Sequence, residues 1–473
     1  MTVVVCEDHG TPLPDLDRVT TEFTALAGLC KDPSVLSDAD ITNLEALVLH
    51  EGEYDLGFIQ GAIRRLGVDP LGVPIVTLTD TATTEQLIVL AAGVVARHRA
   101  FHGTRPEHAK MQWPTLMSRR RLFALGVPQY IGAPSIDHAL CSAEHGCRLC
   151  VESCPVSALK SVSGNIMYNV DICFACGICV TTCPTGATVN PTATEDQIAA
   201  QIQAMISAAK GPIGIEFRCR NARPGLLEDG WYPVEVPCTG MLTIGWLLAP
   251  LVLGAGAVAA PSCDTRGCSI GSDDLFAAHL VDASSMLGEL AISELHILNE
   301  GRGAVPGPLT DGDTPSLANF DDTTVYLALG AVAGIADAVF TSTTGAVGVV
   351  TINKLVCTAC EQCAAVCPSH ALAAHQHDET VEISFDPFLC VGCGMCLSTC
   401  PERGRGAITL KRNFDLEELK LGPRLVLTGS TSLCERCGDP IAPSAMLDRI
   451  HSMLGPEHAG ILDLISRRCP NCR

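Results

Sequence analysis

Aromatic residues, positive charge and familiar catalytic signatures are all scarce in this 473-residue chain. It has 3 Trp, 5 Tyr and 12 Phe, too few for one large aromatic-rich core. Its 31 basic residues face 52 acidic ones, a net charge of −21, which excludes nucleic-acid binding driven by bulk positive potential. The opening stretch Met1–Asp8 carries acid where a secretory signal would carry base, so export is not expected. Ser118-Arg119-Arg120-Arg121-Leu122-Phe123 has the form of a twin-arginine signal but lies deep in the chain. It reads as a basic helix near a partner or phosphate, or as a solvated face. No G-x-S-x-G, H-E-x-x-H or P-loop lysine occurs, so no catalytic centre is expected. The 43 Gly and 29 Pro follow no Gly-X-Y period, which excludes collagen.

Long apolar runs are scarce as well. The one stretch with membrane-span length, Met241–Ala260, is interrupted by Gly245, Pro250, Gly254 and Gly256. It parses as a buried helix over 242–253, a glycine turn and a strand over 257–260. Gly254-x-Gly256-x-x-Ala259 within it is no dinucleotide fingerprint, because Pro261 stands where the required helix would begin.

Cysteine, by contrast, is abundant: 26 residues. In a cytoplasmic protein, the expected location here, such density signals metal or redox chemistry and not disulfides. Cys173, Cys176, Cys179 and Cys183 follow the spacing C-x2-C-x2-C-x3-C with Pro184 next. The run recurs at Cys357, Cys360, Cys363, Cys367 and at Cys390, Cys393, Cys396, Cys400, each again followed by Pro. A fourth copy, Cys141, Cys147, Cys150, Cys154, has three residues inserted before its second cysteine. Three thiolates on one tight loop can cap three irons of a cube, while the fourth starts a helix leading to a neighbouring cube.

The runs form two pairs, and each pair resembles a two-cluster bacterial ferredoxin domain, at 137–190 and 352–412. The crossover of the fourth cysteine in that family implies four [4Fe–4S] clusters. Their ligand sets would be Cys141, Cys147, Cys150 and Cys183; Cys154, Cys173, Cys176 and Cys179; Cys357, Cys360, Cys363 and Cys400; and Cys367, Cys390, Cys393 and Cys396. His145, inside the inserted segment, reads as an exposed loop residue.

Between the pairs, residues 212–300 alternate strand and helix, with strands at 213–217, 234–236 and 257–259. Cys219, Cys238 and Cys263 sit where those strands end, and Cys268 follows five residues on. The carboxyl ends of parallel strands form a binding edge. Val236-Pro237-Cys238-Thr239-Gly240 and Ser262-Cys263-Asp264-Thr265-Arg266-Gly267-Cys268 resemble the iron–sulfur D subunit of methyl-viologen-reducing hydrogenases. That family implies a [2Fe–2S] cluster on these four cysteines and electron delivery to heterodisulfide reductase. The likeness departs near the first strand, where the family has several cysteines and this chain has Cys219 alone. Buried structural thiols are the alternative.

At the carboxyl end, Cys434-x2-Cys437 and Cys469-x2-Cys472 are separated by 31 residues with a helix near 444–454. The two knuckles point to one tetrahedral Zn site in a zinc-ribbon-like module, with rubredoxin-like iron as the alternative. The first hundred residues read as an α/β unit, with strands at 3–5 and 73–78 and helices at 58–66 and 83–99. Cys6 and Cys30 give it a faint resemblance to the N-terminal domain of the flavin-binding subunit of heterodisulfide reductase.

The expected fold is therefore multidomain, α+β and α/β. Two dicluster ferredoxin-like domains (137–190 and 352–412) flank a small parallel-sheet α/β domain (191–305). An N-terminal α/β domain (1–104), linkers (105–136 and 306–351) and a C-terminal metal module (413–473) complete it. The function implied is electron relay within a cytoplasmic oxidoreductase complex, with no membrane span. Its partners would be a catalytic subunit, of hydrogenase or molybdenum or tungsten oxidoreductase type, and a flavin-bearing or heterodisulfide-reductase-like subunit. The alternatives are a self-contained reductase binding a small substrate at the [2Fe–2S] or N-terminal domain, and an assembly scaffold whose clusters are structural.

Overall fold

The computed structural model describes residues 2–6, 22–26, 44–50, 56–78, 83–103, 109–112, 129–220, 222, 227–261, 270, 273–293, 296–298, 303–309, 317–377, 379–454 and 458–473. Cys30, Cys263, Cys268 and the 118–123 basic run lie outside them. The chain divides into two compact units. The first comprises residues 1–139, 150–160 and 166–334; the second comprises 140–149, 161–165 and 335–473.

The first unit opens with four parallel strands in the order Glu22–Leu26, Thr2–Cys6, Leu44–His50, Ile75–Leu78. Leu44 and Leu47 of this sheet pack against Ile59, Ala62 and Ile63 of the helix Leu56–Arg65. The next helix, Thr84–Arg99, starts at a capping box in which Thr83 and Gln86 satisfy each other's backbone N–H, a motif contributing about 1 kcal/mol. A matching box, Thr194 with Gln197, opens the helix Glu195–Ala208, and Gly93 lets Met205 of that helix approach closely. Residues 105–136, expected as a linker, carry the strands Ala109–Gln112, Gln129–Gly132 and Ser135–Ile136.

A second parallel sheet follows in the same unit, ordered Trp231–Val236, Gly214–Cys219, Ala257–Ala259, Ile297–Leu298. Ile215, Phe217, Val234 and Val258 are wholly buried in it. The apolar stretch resolves into a 3-10 turn at Thr239–Met241, a helix at Ile244–Val252 and the strand Ala257–Ala259. Every residue of that nine-residue helix is buried. Its mean hydropathy thus reflects a packed α/β core, and among the described residues no helix is long and apolar enough to cross a membrane. Arg97 ties the parts of this unit together. Its guanidinium donates to Gln201 Oε1 (3.0 Å), Thr192 O (2.6 Å) and Glu235 O (2.8 Å).

In the second unit, Val349–Ile352 pairs antiparallel with Ile408–Lys411, closing residues 353–407 into one segment. Inside it, Leu372–Gln376 and Thr380–Phe385 form a hairpin. That hairpin gains a third strand from further along the chain: Arg424–Leu433 pairs with Thr380–Phe385, and Pro440–Pro443 pairs with Arg424–Leu433. The first C-terminal cysteine knuckle, Cys434–Cys437, therefore grows out of the same four-stranded sheet, between its last two strands. Val381, Ile383, Phe385 and Leu427 share its core.

Candidate metal centres

The loops on either side of the Leu372–Phe385 hairpin bring eight cysteines into two groups. Cys357, Cys360, Cys363 and Cys400 line one pocket of about 350 Å³, walled by Ile352, Ile383, Ala407 and Ile408. Cys367, Cys390, Cys393 and Cys396 line another of about 330 Å³, walled by Val350, Leu372, Phe385 and Leu410. In each pocket, three thiols come from one run and one from the other. Burial pushes the thiols of Cys363 and Cys390 up to about 12 and that of Cys396 to about 11. In a dry pocket the thiolate form needs a compensating cation, which is what bound iron provides.

Backbone conformation repeats with the cysteine spacing. The residue before the second cysteine is left-handed in the three regular runs: Ala175 (φ 50°), Ala359 (φ 55°) and Gly392 (φ 62°). So is the residue after it: Gly177 (φ 82°), Glu361 (φ 62°) and Gly394 (φ 74°). These turns aim amide N–H groups inward. Ala175 N donates to Cys173 Sγ (3.2 Å) and Ala359 N to Cys357 Sγ (3.4 Å). Such nests favour a negative guest. Gly392 is sterically required as well, because a Cβ there would stand 2.2 Å from Val347 O. The inserted run keeps the first of these turns, at Gly146 (φ 94°), but Arg148 after its second cysteine is not left-handed. Its third cysteine sits in a short helix, Leu149–Glu152, as the third cysteines of the other runs do.

Four thiols of the first unit, Cys154, Cys173, Cys176 and Cys179, lie close enough to act on one another electrostatically. Burial first, then these neighbours, push Cys179 upward; Cys150 is among them. The hydroxyl of Tyr168 is buried there beside the Cys173 thiol, with no oxygen or nitrogen partner among the described residues. A buried O–H turned toward Cys173, with Cys154 and Cys179 near, suits a sulfur-rich anionic guest, so this donor set fits an iron–sulfur cluster. Cys183, by contrast, is turned toward Thr185 (3.6 Å). Cys141 and Cys147 belong to the second unit, where Ser142 Oγ donates to Pro368 O at 3.1 Å.

At the edge of the parallel sheet, Cys219 ends its strand and Cys238 follows the next one; both are buried. Cys219 Sγ donates to Pro237 O (3.7 Å), and Gly240 N donates to Cys238 Sγ (3.4 Å). Met241, three residues on, packs over Gly177 of the Cys173–Cys179 loop. Sequence reasoning missed a cation here. The Arg220 guanidinium donates through Nη2 to Phe174 O, inside the Cys173–Cys176 loop. Its partner is a backbone carbonyl 46 residues away, which leaves no sequence signal.

Cys434, Cys437, Cys469 and Cys472 bring their sulfurs within 4.8 Å of one another, with Cys437 and Cys469 at 3.5 Å. The Cys469 backbone N–H holds the Cys434 thiol down, at about 6. Four converging sulfurs with one readily ionised are a suitable shell for a tetrahedral cation. A link to the neighbouring pocket also escaped sequence reasoning. Arg449, on the helix Ser444–Met453 between the knuckles, ion-pairs with Glu402 at 3.0 Å. Glu402 lines the Cys357 pocket and also pairs with Arg405 at 2.8 Å.

Residues 356–404 match the 4Fe-4S dicluster domain family. The chain thus carries a ferredoxin-type iron–sulfur domain in its second unit, over the segment whose eight cysteines line the two pockets. No curated protein matches the chain.

Proposed function

We propose that the chain is a multi-cluster iron–sulfur electron-transfer subunit of a cytoplasmic oxidoreductase complex. It would relay single electrons between a catalytic subunit of hydrogenase or molybdenum or tungsten oxidoreductase type and a flavin-bearing or heterodisulfide-reductase-like subunit. The observation that carries this reading is the pair of four-cysteine pockets inside the matched dicluster domain. When bound, such clusters accept and release single electrons at potentials set by their surroundings.

The protein's own residues supply those surroundings. In this reading Cys357, Cys360, Cys363 and Cys400 hold one cube, and Cys367, Cys390, Cys393 and Cys396 hold the next. Amides such as Ala359 N stabilise negative charge on sulfur, while Ile383, Phe385 and Ile408 exclude water. Cys154, Cys173, Cys176 and Cys179 hold a third cube, and Cys141, Cys147, Cys150 and Cys183 a fourth. Cys219 and Cys238, with Cys263 and Cys268, hold a [2Fe–2S] cluster, and the C-terminal knuckles hold zinc. The net charge of −21 favours basic docking faces on the partners.

Anaerobic purification of the chain with its co-purifying subunits tests this. Roughly eighteen irons and one zinc per chain are expected, with clusters reduced by dithionite and reoxidised on adding the partner's substrate. Clusters that stay reduced through turnover would assign them a structural role instead.

A further inference from the structure

We propose that Arg220 is a positioning and potential-setting residue shared by two neighbouring thiol sets, Cys173 and Cys176 on one side and Cys219 and Cys238 on the other. The inference rests on the electron-transfer reading and adds to it which residue couples the ferredoxin loop to the central sheet. Three observations carry it. Arg220 directly follows the strand Gly214–Cys219, and its backbone N–H donates to Val236 O (2.9 Å), fixing its root at the sheet's carboxyl edge. Its guanidinium then reaches the Phe174 carbonyl, in the middle of Cys173-Phe174-Ala175-Cys176. Its charge also acts on Cys219, Cys176 and Cys238, with Glu235 as the carboxylate that opposes it.

Those thiols are 8 % exposed at Cys219 and Cys176 and 1 % at Cys238, so little water stands between them and the cation to screen it. An arginine keeps its charge even when half-buried, and its planar fork can hold a carbonyl while facing a second group. Cys238 and Cys176 are themselves electrostatic neighbours, and Met241 seals the gap over Gly177. A fixed positive charge between two centres favours the reduced, more negative state of both. The same hydrogen bond holds the ligand loop at its distance from the sheet. Arg220 thus touches no reacting atom; it acts through the loop it clamps and the field it imposes.

The test is a redox titration of the full chain followed by low-temperature electron paramagnetic resonance, on wild type, Arg220→Gln, Arg220→Lys and Glu235→Gln. Losing the charge in Arg220→Gln should shift the reduced-to-oxidised ratio of the first-unit clusters on the order of tenfold toward oxidised, about 59 mV for a one-electron couple. Arg220→Lys should recover most of that shift. Glu235→Gln should move the same signals the opposite way, and this arm decides the matter where Arg220→Gln loses iron. The clusters of the 356–404 domain should keep their midpoints in every variant. Full iron content with unchanged first-unit midpoints in Arg220→Gln, or no upward shift in Glu235→Gln, overturns the proposal while leaving the relay reading intact. A wild type without cluster signals beyond those of the 356–404 domain overturns both.

Discussion

The two cysteine-rich regions differ more in backbone than in sequence. Across Cys357–Cys400, both loops take the same left-handed turns beside the second cysteine, and each set of four sulfurs lines its own pocket. Across Cys141–Cys183, the loop at Cys173–Cys179 repeats both turns, but the inserted run keeps only the first, at Gly146, and Arg148 after its second cysteine is not left-handed. Three inserted residues therefore do more than lengthen a loop. The inserted run has lost the second of the two turns that aim amides toward a guest, which leaves that end of the region the least prepared for one.

The largest expected effect tests how independent the regular region is. Because Arg424–Leu433 is the third strand of its sheet, a chain ending at Gly422 should lose both of its cubes, roughly eight irons. Iron analysis and absorption spectra of the purified variant measure this; retention of those irons would show that the strand is dispensable. Next, Gly392→Val should cost about four irons, because the new side chain meets Val347 O. Electron paramagnetic resonance should show one cube signal missing and its neighbour intact.

Chelation probes the other side of the comparison. On timed exposure to a strong iron chelator, about four irons should leave in a faster phase, and Cys141→Ser should abolish that phase. Uniform release from all sets would mean that the inserted run is as well prepared as the rest. A smaller effect concerns Glu361, which holds the left-handed position that Gly177 and Gly394 fill with glycine. Glu361→Gly should stabilise the second unit by roughly 0.5–1 kcal/mol, the conformational relief less the exposed hydrogen bond from Gln376. Urea unfolding measures it.

The smallest effect belongs to His279 in the first unit. Burial lowers its pKa, against the pull of Asp322 and Asp282, and its Nδ1 bonds Leu242 O at 2.9 Å. The unfolded chain then binds the extra proton more readily. Stability is complete above the ordinary histidine value of 6.5 and declines as pH falls below it. Thermal melts between pH 5 and 8, beside His279→Gln, should show the wild-type slope flattened in the variant.

Much of this was legible beforehand, for physical reasons. The parallel strands announce themselves as short apolar runs, because both of their faces are buried, and Gly214–Cys219, Trp231–Val236 and Ala257–Ala259 fall on or beside the expected stretches. The helix Thr84–Arg99 follows its cap within one residue of expectation. Cysteine spacing located both pockets of the 356–404 domain, since a tight loop can present its thiols in few ways. The strand Arg424–Leu433 was not legible: exposed Leu425 spoils its alternation, and its partner lies some forty residues upstream. The clamp of Arg220 and the Arg449–Glu402 pair were hidden because contacts between distant side chains and carbonyls leave no local pattern.

The shared sheet has a consequence in time as well as space. All eight cysteines of the 356–404 domain leave the ribosome before the strand that completes their sheet has been made. Until Leu433 emerges, Thr380–Phe385 is an edge strand with half of its backbone groups unpaired. The domain's loops are thus exposed first and locked last. Metal delivery during synthesis meets an open scaffold, and the closing strand, with the four-sulfur knuckles behind it, arrives as the latch.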